Sequence, residues 1–211
     1  MLKKYVSNIS ILSLVFLAAC ATKPESDVDT PEYHYKAGMR AVENTDYQQA
    51  IKSFQRSIDL DSKFALGFGG LGLANAKLGN NKEAKKFAST CASKGSKDSD
   101  ALALSARVWI NMRESEKKWF KRAEGHLEKS LKRNKQHEGT QYWYGVAYLY
   151  SYKFNEAEDY FRDVVNKRGE YSGLADSKWK LSQKIVRAMP GTPVGKKVAL
   201  KERINLSLIH I

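Results

Sequence analysis

The sequence predicts an all-α fold: a solenoid of about four helix-hairpin repeats closed by a C-terminal capping helix. Small residues recur 34 positions apart, in the pairs Gly38/Gly72 and Ala50/Ala84, which indicates one structural unit used repeatedly. Only 4 prolines occur in 211 residues, so helices can form without interruption. Hydrophobic residues make up 42% and charged residues 28% of the chain, which is typical of a folded domain rather than a disordered one.

Residues 1–19 are predicted to be a signal peptide. Lys3 and Lys4 precede an apolar stretch, residues 9–19, that is too short to cross a bilayer comfortably as a helix. The sequence Leu-Ala-Ala-Cys then ends at Cys20 and resembles the lipobox of bacterial lipoproteins. The resemblance implies cleavage before Cys20, a diacylglycerol on its sulfur and an acyl group on the new amine. An ordinary cleaved signal, with a cysteine there by chance, is the alternative.

The residue after Cys20 bears on which membrane would hold the lipoprotein. In Gram-negative lipoproteins an Asp there would resemble an inner-membrane retention signal, and this chain has Ala21 instead. The resemblance therefore implies a cell-envelope protein held by lipid in the outer membrane and facing the periplasm. Residues 20–30 are polar after the cysteine and are predicted to be the lipid anchor and a flexible tether.

Four repeats follow this tether. Their aromatic residues, their Gly or Ala and a second small residue recur at offsets that resemble the tetratricopeptide-repeat (TPR) pattern, whose period is 34 residues. The third copy is longer by about five residues, and each copy lacks the proline that ends a TPR unit, so another kind of helical hairpin array is the alternative. The repeats are predicted at 31–64 (Gly38, Ala50, Phe54), 65–98 (Phe68, Gly72, Ala84), 99–137 (Ala106, Trp109, Ala123, Leu127) and 138–171 (Tyr144, Gly145, Ala157, Phe161).

The TPR resemblance implies two antiparallel helices in each repeat, with the small residues where these helices come close. No repeat can bury its apolar face alone, so stacking makes the core continuous. Residues 172–189 have the pattern of one more amphipathic helix, which is predicted to cap the last repeat. Residues 190–211 begin with Pro-Gly-Thr-Pro and end on an apolar run, so they are predicted to be a linker and a truncated or artefactual C-terminus.

In the TPR family the first helix of each unit lines a concave groove, and the repeat register carries several residues to that surface. They are aromatic or aliphatic with one clear charge, so the groove is predicted to suit an apolar or amphipathic segment of a partner protein. The alternative is that several of them belong to the core. These predicted groove residues are Tyr35, Met39, Leu73, Arg107, Tyr142, Val146 and Tyr150.

The chain is basic, with a formal net charge of +13. Residues 113–135 hold nine Lys or Arg and four Glu, which predicts a basic face on the third repeat. Contact with anionic lipid or a cell-wall polymer is one interpretation of this face, and a solvated helix surface is the other. Nucleic acid is not an expected partner of an exported chain. The basic face is predicted to consist of Lys117, Lys118, Lys121 and Arg122.

The sequence contains no recognisable catalytic constellation. Residues 67–72 match G-x-G-x-x-G, but the preceding strand and the later acidic residue of a dinucleotide site are missing. The four histidines have no metal-ligand spacing, and Cys91 falls where the repeat needs a small packed residue. We therefore predict no enzymatic activity, no metal, no small-molecule substrate and no cofactor other than the covalent lipid on Cys20.

These observations predict a non-catalytic, membrane-anchored scaffold or adaptor that binds other envelope proteins or peptide segments during envelope assembly or maintenance. Two alternatives remain open. One is an accessory module of a larger envelope protein that continues past the truncated C-terminus. The other is a lipoprotein that binds anionic lipid or polymer through its basic face.

Overall fold

The computed structural model describes residues 29–188, and this part of the chain forms nine α-helices and no strand. The predicted signal peptide, the lipidation site Cys20, most of the tether and the predicted C-terminal linker lie outside the described residues. The helices are α1 (Pro31–Glu43), α2 (Tyr47–Leu60), α3 (Ala65–Lys77), α4 (Asn81–Lys94), α5 (Ser99–Asn111), α6 (Trp119–Arg133), α7 (Glu138–Tyr150), α8 (Phe154–Lys167) and α9 (Ser172–Ala188).

Consecutive helices form four hairpins, α1/α2, α3/α4, α5/α6 and α7/α8, and α9 packs on α8. The first helices of neighbouring hairpins also contact one another, α1 with α3, α3 with α5 and α5 with α7. Between residues 29 and 188, no contact of comparable extent joins the second helices of these hairpins. The array therefore curves with its first helices on the inner side. This is the predicted all-α arrangement of four hairpins and a capping helix.

Polar side chains fix the points where the first two helices begin. The Thr30 hydroxyl accepts a hydrogen bond from the Tyr33 amide at 3.2 Å, and Pro31 occupies the first helical position. At the start of α2 the Asp46 carboxylate accepts from the Gln49 amide at 3.0 Å. Each cap satisfies a backbone donor that the helix leaves free, and such caps contribute about 1 kcal/mol.

A glycine on the first helix faces an aromatic ring on the second helix in the first and last hairpins. A Cβ added to Gly38 would lie 2.5 Å from the Phe54 ring, and one added to Gly145 would lie 2.6 Å from the Phe161 ring. These positions therefore have no room for a side chain while the rings keep their places. The close helix approach predicted at the small residues is confirmed here.

The second hairpin uses the same repeat positions differently. Ala88 stands where the first hairpin has Phe54, so the two backbones approach each other directly. A Cβ on Gly72 would lie 3.3 Å from the Ala88 nitrogen and 3.4 Å from the Ala84 carbonyl oxygen. The first small position of the second helix is an alanine throughout and is 0% exposed in every hairpin: Ala50, Ala84, Ala123 and Ala157.

The extra length of the third repeat lies mainly in the connection between its two helices. Residues 112–118 join α5 to α6, whereas three residues join the helices in each other hairpin. Within this loop Glu116 forms an ion pair with Lys85 of α4. Ala123 and Leu127 of α6 are both 0% exposed, so the helix after the insertion keeps the repeat register.

The last helix covers the open side of α8. It buries Ala175, Ser182 and Ile185, none of which is more than 5% exposed, and leaves Leu174 58% exposed on another side. Burial of these residues closes the apolar face that a following repeat would otherwise cover. Among the helices described, none has the length and apolarity needed to cross a bilayer.

We expect Gly145→Ala to destabilise the protein and Gly125→Ala to stabilise it. The methyl group at position 145 would collide with the Phe161 ring, a cost of about 1–3 kcal/mol. Gly125 lies inside α6 with nothing within 4 Å of an added Cβ, so the higher helix propensity of alanine adds up to about 1 kcal/mol. Urea-induced unfolding measures both changes.

The smaller side chain in Phe161→Leu should recover part of the stability lost in the Gly145→Ala variant. Changes of the same sign at positions 145 and 125 would contradict a helix contact that depends on the absence of a side chain.

Candidate functional site

The structure divides the predicted groove residues into two groups. Tyr35, Met39, Arg107 and Tyr150 are partly exposed on the first helices of their hairpins. Leu73, Tyr142 and Val146 are buried, with 0%, 5% and 3% of their surface exposed. The first group can contact a partner directly, whereas the second group supports the groove from below.

The placement of Leu73 on the groove surface was wrong. Only a narrow side of each inner helix faces the groove, and the sides next to it pack on the neighbouring inner helices. Leu73 lies on one of these packed sides and belongs to the continuous core. Tyr142 is held in a similar way, with its ring centroid 5.1 Å from those of Trp143 and Tyr171. Burial raises the pKa of Tyr142 to about 12, so its hydroxyl stays protonated at neutral pH.

A cavity of about 240 Å³ opens on the inner side of the array. It lies where α3, α5, α7 and α9 come together, so three hairpins and the cap all contribute to it. Tyr142 and Val146, although nearly buried, form part of its wall. The lining residues are Lys77, Arg107, Ile110, Asn111, Arg113, Tyr142, Trp143, Val146, Tyr150 and Lys178.

Arg107 is the central charge of this cavity. The carbon of its guanidinium group lies 4.9 Å from the centre of the Trp143 ring, which places the cation over an aromatic face. Its Nε atom is buried and has no hydrogen-bond partner among the described residues. Burial lowers the pKa of Arg107, against the opposing influence of Tyr35 and other neighbours, including Glu43. The group is therefore a partly desolvated cation with an unused donor.

Three further cations line the cavity, and the repeat register does not predict them there. Lys77 is exposed at the end of α3, and partial loss of hydration there lowers its pKa, as do the positive charges of Arg107 and Arg113. Burial also lowers the pKa of Lys178. Arg113 lies with its guanidinium carbon 4.1 Å from the centre of the Tyr150 ring and pairs with Glu114 at 3.4 Å.

These cations lie at helix ends and in the cap, outside the middle of the first helices where the repeat register locates groove residues. Lys77 ends α3, Arg113 follows α5, and Lys178 belongs to α9. The basic residue at the end of a predicted inner helix was the signal that could have identified Lys77. A groove predicted with a single clear charge thus contains a cavity with four basic residues.

The predicted basic face lies on α6 and the loop before it. Lys118, Lys121 and Arg122 border a shallow cavity of about 480 Å³ together with Gly125, His126 and Lys129. Lys117 is exposed but does not line this cavity. The guanidinium carbon of Arg122 lies 5.7 Å from the centre of the Trp109 ring, which holds this side chain against α5. The structure brings three of the four predicted residues together.

Comparison with solved structures gives the fold. A thermophilic TPR protein of Thermus thermophilus, TTC0263, superposes with a TM-score of 0.61 and 15% identity, covering 86% of this chain and 100% of that chain. The fold is a TPR solenoid. MamA structures align with 13–18% identity and lower TM-scores, including a D159K mutant at 0.46 that covers 79% of this chain and 94% of its own. The assignment does not depend on them.

Sequence comparisons add no relatives. No family model matches the chain, and no curated protein is significantly similar to it. The likeness at 15% identity shows the TPR fold alone. The groove and the basic face therefore have to be interpreted from their own residues.

The other residues singled out in the sequence have structural roles in this fold. The glycine-rich segment 67–72 lies inside α3 and packs against neighbouring helices, so it forms no phosphate-binding loop. Cys91 is fully buried, donates to the Ala101 carbonyl at 3.2 Å, and has its pKa raised to about 12 by burial. The His137 side chain caps α7 by accepting a hydrogen bond from the Thr140 amide, and its Nε2 lies 3.1 Å from the Asp100 Oδ1. Among the described residues, no three His, Cys, Asp or Glu side chains gather as a metal site would require.

His126 should make stability depend on pH. Burial, with the charges of Lys129 and Arg122, lowers its pKa from 6.5 to about 4. Between these two values His126 is protonated in the unfolded chain but neutral in the folded protein. The free energy of unfolding therefore falls as the pH falls from about 6.5 to about 4. Urea unfolding at several pH values measures this loss, and the loss should be smaller in His126→Gln. An NMR titration midpoint near 6.5 for His126 would contradict the burial.

Proposed function

We propose that this protein is a non-catalytic, membrane-anchored scaffold that binds a segment of another protein in its inner groove. The cavity where α3, α5, α7 and α9 meet supports the proposal. Its aromatic and basic side chains converge from four helices and one loop, which is the arrangement expected of a recognition surface. A cavity of about 240 Å³ suits one or two side chains of a partner rather than a whole cofactor.

The partly exposed residues of the groove extend beyond this cavity. Tyr35 and Met39 lie on α1, so the inner surface continues from the cavity towards the first hairpin. An extended or helical segment could place one side chain in the cavity and others along these residues. Trp143 and Tyr150 are partly exposed aromatic residues in the cavity, and such residues contribute most to binding energy at protein interfaces.

The proposed location rests on the N-terminal sequence. Cys20 carries the lipid in this proposal, and several acyl chains hold a protein firmly because each buried methylene group contributes about 0.8 kcal/mol. Ala21 after the cysteine favours the outer membrane, with the repeats facing the periplasm. The binding partners would then be other envelope proteins or peptide segments. We propose a role in envelope assembly or maintenance.

A photo-crosslinking amino acid at position 39 should capture a specific envelope protein in native cells. The double variant Trp143→Ala, Tyr150→Ala should reduce this adduct by about tenfold, because the two partly exposed aromatic side chains of the cavity are lost. Tyr33→Ala is the matched control, since Tyr33 is 48% exposed on α1 and does not line the cavity. The adducts are compared by mass spectrometry at equal protein levels.

Equal adduct yields in the double variant and in Tyr33→Ala would reject the groove as the binding surface. The same cells test the anchor. Cys20→Ala should abolish incorporation of radioactive palmitate and move the protein from the membrane fraction, whereas incorporation that persists would reject lipidation at Cys20.

The basic face supports a second candidate function, contact with anionic lipid or polymer. Four basic residues, Lys118, Lys121, Arg122 and Lys129, border one shallow cavity on α6. Basic groups near an anionic membrane surface contribute about 1 kcal/mol each. This face and the inner groove consist of different residues, so each function can be tested without removing the other.

Replacing Lys117, Lys118, Lys121 and Arg122 with Gln should weaken binding to anionic vesicles. The unacylated Cys20→Ala protein is used, so that only the surface charge is measured. Vesicles of phosphatidylcholine with and without phosphatidylglycerol are sedimented with the protein. The control variant replaces four other exposed basic residues with Gln and so removes the same charge: Lys36, Arg40, Lys52 and Lys63. Equal loss in both variants would show an effect of net charge and reject a specific basic face.

A further inference from the structure

The shallow cavity on α6 follows one row of residues along that helix. The residues of this row are spaced four, three and four positions apart, so they lie one above the other on one side of the helix: Lys118, Arg122, Gly125 and Lys129. Lys121 lies beside the row and also lines the cavity. The four cations are exposed, so a ligand can reach them from solvent. None of the described lining residues is acidic.

A glycine stands in the middle of this row. A Cβ added to Gly125 would find nothing within 4 Å, so the space above the backbone is open. Arg122 lies about one turn before this gap and Lys129 about one turn after it. Burial, with the charges of Lys129 and Arg122, lowers the pKa of His126 to about 4, so both cations act on the residue next to the gap. We call the gap and the cations around it the Gly125 notch, which consists of Lys118, Lys121, Arg122, Gly125 and Lys129.

The acidic residues near α6 do not neutralise these cations. Burial raises the pKa values of two tyrosines of α7, and the charges of Glu124 and Glu128 add to the effect, so both glutamates lie towards the last hairpin. Lys85 and, to a smaller extent, Arg122 lower the pKa of Glu116. The Glu116 carboxylate is already paired with Lys85. Among the ion pairs of residues 29–188, none involves a cation of the notch.

Four cations around one gap favour an anion that carries two charges. Like charges close together repel, and a ligand with a single negative charge would leave most of this repulsion in place. A phosphomonoester carries about 1.5–2 negative charges at neutral pH and has three strong acceptor oxygens. A phosphodiester has one negative charge and two free oxygens. The monoester can therefore contact a guanidinium group and two ammonium groups at once.

We propose that the Gly125 notch binds the phosphomonoester group of a membrane-lipid headgroup. The phosphate occupies the open space above Gly125, the Arg122 guanidinium group donates to two of its oxygens, and the lysine ammonium groups approach from either end. The carbon of this guanidinium group lies 5.7 Å from the centre of the Trp109 ring, so Arg122 is held near the notch before a ligand arrives. The inference rests on the second candidate function, because it names the chemistry that the basic face recognises.

The position of the notch favours a lipid over a soluble phosphate compound. The cavity is shallow and lies on a second, outer helix, so a headgroup can enter it while the acyl chains stay in the bilayer. In the proposed function a lipid on Cys20 holds the fold near a membrane, because a fully extended chain from Cys20 to Asp29 reaches at most about 30 Å. A volume of about 480 Å³ has room for a headgroup and not only for its phosphate.

Vesicle sedimentation with the unacylated Cys20→Ala protein tests the proposal. Phosphatidylcholine vesicles carry either phosphatidate, a monoester, or phosphatidylglycerol, a diester, at contents adjusted to the same surface potential. The protein should bind the phosphatidate vesicles at least about fivefold more tightly, which is the gain expected from one further basic contact. Gly125→Gln fills the notch without changing the charge and should remove this preference.

Gly173→Gln is the matched control. Gly173 also lies in a helix, α9, with nothing within 4 Å of an added Cβ, and it does not line the cavity. This variant should keep the preference for phosphatidate. Arg122→Gln removes an exposed side chain of the notch and should reduce the preference as well. Gly125→Gln should fold, because glutamine has a higher helix propensity than glycine.

The outcomes separate this inference from the second candidate function. Equal binding to the two vesicles would reject a monoester site and leave contact of the basic face with anionic lipid standing. Absence of binding to both would reject that contact as well. A preference for phosphatidate that persists in both Gly125→Gln and Arg122→Gln would reject the notch as its source.

A titration with glycerol 3-phosphate tests the soluble alternative, with the Gly125 amide signal followed by NMR in the ¹⁵N-labelled protein. Saturation of this signal in a protein that shows no preference for phosphatidate vesicles would assign the notch to a soluble phosphomonoester and overturn the lipid assignment.

Discussion

The close approach of the two helices within each hairpin is the constraint on which the rest of this structure depends. A glycine faces a phenylalanine ring in the first and last hairpins, and a fully buried alanine holds the second helix close in all four. If the helices were further apart, the rings of Phe54 and Phe161 would lose the contacts that bury them completely. The spacing within hairpins then fixes the spacing between hairpins, because each pair must stack on the next.

This constraint explains how the third repeat accepts a longer connection without disturbing its neighbours. The insertion lies in loop 112–118, while Ala123 and Leu127 keep the buried positions of their repeat. The inner helices therefore continue in one layer, and the groove is uninterrupted. The loop also contributes to function in the proposal, because Arg113 stands at its start and reaches the inner cavity. Irregular backbone can thus supply a side chain that the regular repeats do not.

The fold was predictable because small residues recur at a spacing that only a repeating packing requires. Gly38, Ala50 and Gly145 each proved to lie at a helix contact. The site was less predictable. Helical register gives the side of the helix on which a residue lies, but not how much of its surface a neighbouring helix covers. Leu73 has the register of a groove residue and is nevertheless covered. Lys77 and Lys178 reach the cavity from a helix end and from the cap, where the repeat pattern gives no information.

The position of the cavity at the capping helix has a consequence for binding. A cap needs only an apolar side to close the array, which Ala175 and Ile185 provide. Lys178, on the same helix, lines the cavity and loses hydration there, at a cost to the stability of the cap. Because that cost and the desolvation of Arg107 already arise on folding, they do not arise again when a partner segment enters the cavity. The cationic cavity is therefore preorganised, and the helix that ends the solenoid also completes its proposed recognition site.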